Sequence, residues 1–184
     1  LSLYPTFDKA NGLVDFIIER LKVFLKTEGM GHDRIASIFV GGNEDDINML
    51  VNKVHALNIF LSSDDGVNLL IAYRRAANMV TIESKKDGVS FLSTPDETLF
   101  QLEPERDLAK KLADIQTSLP SLVDGEEFDK AMETLATLRT TVDSYFENVI
   151  VNADDAPIRE NRLKTLNLIV ETMNTVANFS LIEN

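Results

Sequence analysis

The sequence predicts an all-α fold on three observations. Apolar residues recur at three- and four-residue intervals in five or six long segments. Short turns rich in Gly, Pro, Asp and Ser join most of these segments. No apolar run approaches the roughly 20 residues that a membrane span needs, so the stripes must be buried against one another in a bundle. Neither a heptad run nor an internal repeat is present.

Leu13, Phe16, Ile17, Leu21, Phe24 and Leu25 define the first amphipathic helix, which Gly29 is expected to end. Asp33 is a candidate cap for a short helix through Ile35, Ile38 and Phe39, before Gly41-Gly42-Asn43 breaks the chain. A long helix then turns Ile47, Leu50, Val51, Val54, Leu57 and Phe60 inward, with Asp45 or Asp46 near its start. Ser62-Ser63-Asp64-Asp65-Gly66 forms a turn and cap for the next helix, which carries Leu70, Ile71, Ala77 and Val80.

From Glu83 to Glu103 the periodicity fades, and Lys85, Lys86, Asp87, Gly88 and Pro95 predict an exposed loop or insertion, with residues 89–92 as a short strand or surface segment. Pro104 suits the first turn of a helix with Leu108, Leu112 and Ile115 on one side, closed by Leu119-Pro120. Asp124 and Glu127 have the spacing of a capping box. Phe128, Met132, Leu135, Leu138, Val142, Tyr145 and Val149 form one long inward stripe. A last helix, from about Pro157 to Ala177, turns in Leu163, Leu166, Val170, Met173 and Val176. The organisation expected is one helical unit over residues 1–184, with a possible subdivision near 83–103 that makes 104–184 a C-terminal helical half.

Composition narrows the function. A chain of 184 residues with 44% apolar content can bury a real core and is not generally disordered. The lack of cysteine excludes disulfides, thiol catalysis and sulfur-ligated metals. A formal net charge of −12 argues against a non-specific nucleic-acid binder, though a local basic patch on an acidic body stays open. Leu1-Ser2-Leu3-Tyr4-Pro5 has no charged n-region, apolar h-region or initiator methionine, which predicts a piece of a longer, cytoplasmic polypeptide with no membrane partner. His32-Asp33 has only His55 as a further histidine, so no metal site is expected. Asn178-Phe179-Ser180 is a glycosylation sequon without a secretory signal. No phosphate-cradling glycine motif or His-based nucleophile system is present, so neither a catalytic nor a cofactor-binding residue is assigned.

The richest segment joins the two closing helices. Tyr145-Phe146-Glu147-Asn148-Val149 ends one helix, and Asp154 and Asp155 precede the next, where carboxylates accept orphan backbone N–H bonds. Pro157 fits the first turn, and Asp155, Arg159 and Arg162 follow at helical spacing. Ala153-Asp154-Asp155, then Arg159, then Asn161-Arg162-Leu163, with Val176-Ala177-Asn178-Phe179-Ser180 beyond, resembles the C-terminal helical (DALR-type) anticodon-binding domain of the bacterial glycyl-tRNA synthetase β subunit family. Asp15-Phe16-Ile17-Ile18-Glu19-Arg20-Leu21 and Arg74-Arg75-Ala76-Ala77-Asn78-Met79 resemble two further segments of that family, in the same order. The resemblance spans nearly the whole chain apart from roughly residues 83–98. Glu147 and Asn178 stand where Asp is usual, and Arg74 where Lys is usual. Only Asn178 loses a charge, which puts its local polar network in question.

The resemblance implies an antiparallel helical bundle of the class I synthetase anticodon-binding type, comparable to the related domain of arginyl-tRNA synthetase. It implies tRNA(Gly) and the synthetase α subunit, in an α2β2 assembly, as partners. ATP-dependent glycylation is carried out at the α subunit, and no cofactor is expected in this region. Arg159, Arg162, Asn161, Lys164, Arg74 and Arg75 are then the candidate tRNA-binding residues, with Asp154 and Asp155 as a structural corner. Each has a plainer reading. Arg159 and Arg162 either meet a phosphate or unstacked base, or pair with Asp155, Asp154 or Glu147. Asn161 either bonds a base or satisfies backbone groups. Arg74 and Arg75 either contact RNA or a subunit, or cover apolar surface. Lys85-Lys86 and Lys110-Lys111 read as solvated, and Lys164 with Arg139 extends a basic strip only if the last two helices lie side by side. The alternative function, which the acidic balance favours, is a scaffold for subunit assembly without RNA contact. An independent hydrolase lacks the ligands it needs.

Overall fold

The computed structural model describes residues 7–40 and 46–183, and among these there is no strand. The chain runs through α1 (Phe7–Thr27), α2 (His32–Ile38), α3 (Ile47–Phe60), α4 (Asp64–Asp87), α5 (Glu103–Asp124), α6 (Phe128–Ala136), α7 (Arg139–Asn148) and α8 (Ala156–Asn174), with 3-10 turns at Glu97–Leu99 and Phe179–Leu181. The long α4 packs on α8 and α7, α3 packs on α6, and α5 packs against α6, α7 and α8. Leu57, Leu69, Leu108, Leu112, Leu135, Val142, Tyr145, Leu163, Leu166 and Met173 are inaccessible to solvent and form a continuous core with their neighbours. The all-α expectation holds.

Local chemistry explains most boundaries. Asp46 caps α3 by accepting Met49 N–H at 2.9 Å, and Ser63 caps α4 by accepting Gly66 N–H at 3.1 Å. Gly66 has a steric role too, because a Cβ there would sit 1.9 Å from the Phe60 carbonyl oxygen. Gly88 ends α4 in the left-handed conformation, at φ 68°. Pro104 occupies the first turn of α5 as expected. Phe179 locks the C-terminal turn onto the bundle, with its ring 5.7 Å from that of Tyr73 and 6.4 Å from that of Phe60.

Several expectations are corrected. Asp33 does not cap α2: Gly31 is the N-cap, and Asp33 instead accepts Glu183 N–H at 2.9 Å. Gly41-Gly42-Asn43 and Asp45 lie outside the described residues. In α1 only Leu25 of the expected stripe is fully buried, while Leu13, Phe16, Ile17 and Phe24 are exposed, because the covered face carries Ile18, Leu21 and Leu25. Ile47 and Ile71 are likewise exposed. Helix α4 continues through Glu83 to Asp87, where the periodicity had faded. The following segment forms no strand and is anchored by buried Phe91 and Phe100, so it is not merely a surface loop. Helix α5 passes Pro120 and ends at Asp124, since Pro120 lies on the exposed side, where a stranded carbonyl can reach water. Asp124 belongs to α5 and makes no capping box; Glu127 is the N-cap of α6, but its carboxylate accepts from Lys130 rather than from the helix backbone. The stripe from Phe128 to Val149 is buried throughout but divides into α6 and α7, where Leu138 N–H bonds to the Leu135 carbonyl.

Candidate nucleic-acid interface

The start of α8 is built first by Asp155, whose carboxylate accepts Ile158 N–H at 3.1 Å and caps the helix. Asp154 beside it is exposed. Neither pairs with the arginines that follow. Arg159 reaches instead to the end of α4, donating to Asp87 at 2.6 Å and to Glu83, and its Nε donates to Asn152 at 3.3 Å. The Arg159 guanidinium holds the Glu83 carboxyl below the usual carboxylate range, against a smaller opposing effect of burial.

Asn161, which is 2% exposed, clamps the 88–102 segment. Its oxygen accepts Asp96 N–H at 2.6 Å and its amide donates to the Asp96 carbonyl at 2.9 Å. The reading of Asn161 as a satisfier of backbone groups is the geometry found. Arg162, 5% exposed, is a buried cation rather than a surface one. Its Nε donates to Glu105 Oε1 at 2.8 Å and its Nη1 to the Ile150 carbonyl at 2.9 Å, while Glu105 Oε2 accepts N–H bonds from Gln101 and Leu102 at 2.9 and 2.8 Å. Burial opposes the charge on Glu105, yet Arg162 and the two backbone donors hold its carboxyl below the ordinary value. Tyr145, fully buried, donates its hydroxyl to the Arg162 carbonyl at 3.4 Å, and burial pushes that hydroxyl well above the usual range.

Asp155, Arg159 and Arg162 therefore share a helix but not a function. The expected partners Asp155, Asp154 and Glu147 are replaced by Glu83, Asp87 and Glu105, drawn from α4 and α5. The buried pair among these, Arg162 and Glu105, carries a local sequence signal. Glu105 lies on the stripe of Leu108, Leu112 and Ile115, and Arg162 on that of Leu166, Ile169 and Met173, so each charged residue occupies an inward register and requires a buried counter-charge.

Lys164 pairs with Glu160 at 2.7 Å, and Arg139 with Asp65 and Asp143, so the basic strip proposed for them is neutralised along its length. Arg74 donates to the Ile182 carbonyl at 2.8 Å and ties α4 to the C-terminal turn. Asn178 keeps its polar network despite the lost charge: its side-chain oxygen accepts Ser180 N–H and Oγ–H at 3.2 and 2.6 Å.

Arg75 stands apart. It is exposed, and its guanidinium carbon lies 4.2 Å from the Phe146 ring centroid. The two residues line a cleft of about 210 Å³ between α4 and α7, with Asn68, Ile71 and Ala72 on one wall and Asp143 and Glu147 on the other. Arg75 is a candidate from the sequence, but Phe146 as its platform is not visible there, because residues 71 positions apart in the chain meet only through helix packing. A larger cleft of about 420 Å³ between α3 and α6 is rimmed by Asp65, Asp129 and Glu133 and, unlike the α4–α7 cleft, has no arginine or lysine in its lining.

Among the described residues no helix is long and apolar enough to cross a membrane. Residues 69–182, which include the α8 corner and all of the α4–α7 cleft except Asn68, match the DALR anticodon binding domain family. The chain is also 46% identical over 172 residues to the glycine–tRNA ligase beta subunit of Rhodospirillum centenum, covering 93% of this chain and 24% of that protein. The proteins of the same description from Cereibacter sphaeroides and Ruegeria sp. are 38% and 36% identical, over 93% and 96% of this chain and 24% and 26% of theirs. The chain thus spans about a quarter of the length of these curated relatives. With a family match that takes in most of the bundle, this chain belongs to the DALR anticodon-binding domain family.

Proposed function

We propose that this chain binds tRNA through the anticodon arm, as the C-terminal part of the β subunit of a glycine–tRNA ligase. The carrying observation is the family match over residues 69–182, which contains the exposed Arg75 on its Phe146 platform. In this reading tRNA(Gly) docks on the α4–α7 face and is presented to an α subunit, in an α2β2 assembly, where ATP-dependent glycylation takes place. The region itself supplies grip rather than chemistry and takes no cofactor, and the enzyme works in the cytoplasm. Affinity for tRNA(Gly), measured by filter binding on the intact ligase with and without residues 69–182, tests the proposal. A large loss on deletion is expected, and unchanged affinity overturns it.

A second reading, subunit scaffolding, is favoured by one observation: in a chain with net charge −12, Arg162 spends its guanidinium inside the bundle and Arg159 is paired with two carboxylates at the end of α4. It predicts that the same deletion dissociates the subunits, as read by sedimentation, while charge reversals on the α4–α7 face leave tRNA affinity unchanged.

A further inference from the structure

The α4–α7 cleft is arranged more narrowly than a general grip on RNA requires. Its floor is a braced stack. Tyr145, fully buried, meets Phe146 edge-on, with ring centroids 6.0 Å apart, and Phe146 in turn carries the Arg75 guanidinium at 4.2 Å. A guanidinium stacked on one side has a second flat face, and Arg75 is exposed and lines the cleft. Arginine planes are platforms for unstacked bases in single-stranded RNA recognition. The space, about 210 Å³, is small beside the roughly 300–1,000 Å³ of a cleft for a drug-sized ligand, and suits a single flat group.

The walls around that plane are rich in acceptors. Glu147 and Asp143, one helical turn apart on α7, contribute carboxylates. Asn68 contributes an amide whose nitrogen already donates to the Asp64 carbonyl at 2.7 Å, which leaves the acceptor capacity of its oxygen unspent by that bond. Asp143 is partly engaged, 3.6 Å from Arg139 Nε, whereas Glu147 is exposed at the cleft. Carboxylates repel phosphate and the O4 carbonyl edge of uracil, and they accept from the exocyclic amine of cytosine.

We propose that the α4–α7 cleft seats one unstacked RNA base that bears an exocyclic amine, stacked on Arg75 and read chiefly by Glu147 with Asp143 in support. The inference rests on the anticodon-binding reading above and adds the kind of base that the site takes. Cytosine and uracil make the sharpest comparison, because they match in size and differ at the group that Glu147 reads.

Fluorescence anisotropy with the intact protein and anticodon stem-loop hairpins, each loop position carrying cytosine or uracil in turn, tests this at fixed low salt. At one loop position the unsubstituted protein is expected to prefer cytosine by about tenfold. R75K keeps the charge and loses the plane, and is expected to weaken binding of the cytosine hairpin by about tenfold. E147Q can donate as well as accept, so the cytosine-to-uracil ratio is expected to fall toward one. Circular dichroism melting of each variant verifies that it folds. Binding without any cytosine preference, an undiminished ratio in E147Q, or full affinity in R75K overturns the base site while leaving RNA binding intact. Failure of the unsubstituted protein to bind any hairpin overturns the anticodon-binding reading as well.

Discussion

The corner at the start of α8 and the cleft between α4 and α7 both hold an arginine beside carboxylates, yet they are physically opposite. At the corner, Arg162 and Glu105 are buried, with every strong donor and acceptor matched inside the bundle. In the cleft, Arg75 rests on Phe146 and Glu147 faces solvent. The first arrangement holds α5, α8 and the segment before α8 in register, and the second is available to a ligand. A motif rich in Arg and Asn is therefore not by itself a binding surface: in this chain its side chains are consumed by architecture, and the binding candidate lies elsewhere on the same domain.

The contrast is broken most forcefully at Arg162. R162A strands the Glu105 carboxylate in the interior and is expected to cost about 3–5 kcal/mol of stability in urea denaturation. Hairpin affinity measured where the variant is still folded should be unchanged. The double variant R162M/E105L should recover only part of the loss, because it removes the unpaired charge but leaves the Gln101 and Leu102 N–H groups and the Ile150 carbonyl without the partners they have now. If R162A instead weakens RNA binding and leaves stability intact, the corner is a binding surface and not an architectural one.

N161A leaves the Asp96 N–H and carbonyl without their partner and should cost about 1–3 kcal/mol. Hydrogen exchange should then quicken across residues 92–100 before it does in α5 or α8. Glu105 gives a smaller effect that depends on pH. Its folded carboxyl is held low, so its stabilising contribution is complete above the unfolded value of about 4.3 and is lost as pH falls through the lower folded value. The stability gap between wild type and E105Q should therefore narrow on acidification below that point, as followed by urea midpoints. Smallest of all, R75A should change stability by no more than about 0.5 kcal/mol, since the side chain is exposed and its loss creates no cavity.

Much of this molecule was legible as pattern. The stripe from Phe128 to Val149 and that of Leu108, Leu112 and Ile115 were inward in the sequence and are buried in the structure. Ser63, Asp46 and Asp155 cap where short polar side chains precede an apolar register. Helix α1 shows the limit. Leu13, Phe16, Ile17 and Phe24 form a face as apolar as the one actually buried, and periodicity does not say which face meets α2. The division of α6 from α7 was hidden for a similar reason, because a hitch at Thr137 and Leu138 leaves the stripe unbroken.

What the sequence alone determined is where helices form and which residues carry an inward register, since both follow from local backbone chemistry and a 3.6-residue period. The partners of the charged groups were decided by tertiary structure. Arg162 meets Glu105 across 57 positions of chain, Arg159 meets Glu83 across 76, and Arg75 meets Phe146 only where α4 crosses α7. A guanidinium can satisfy any of many carboxylates or rings, and only the packing of whole helices selects which one lies within reach.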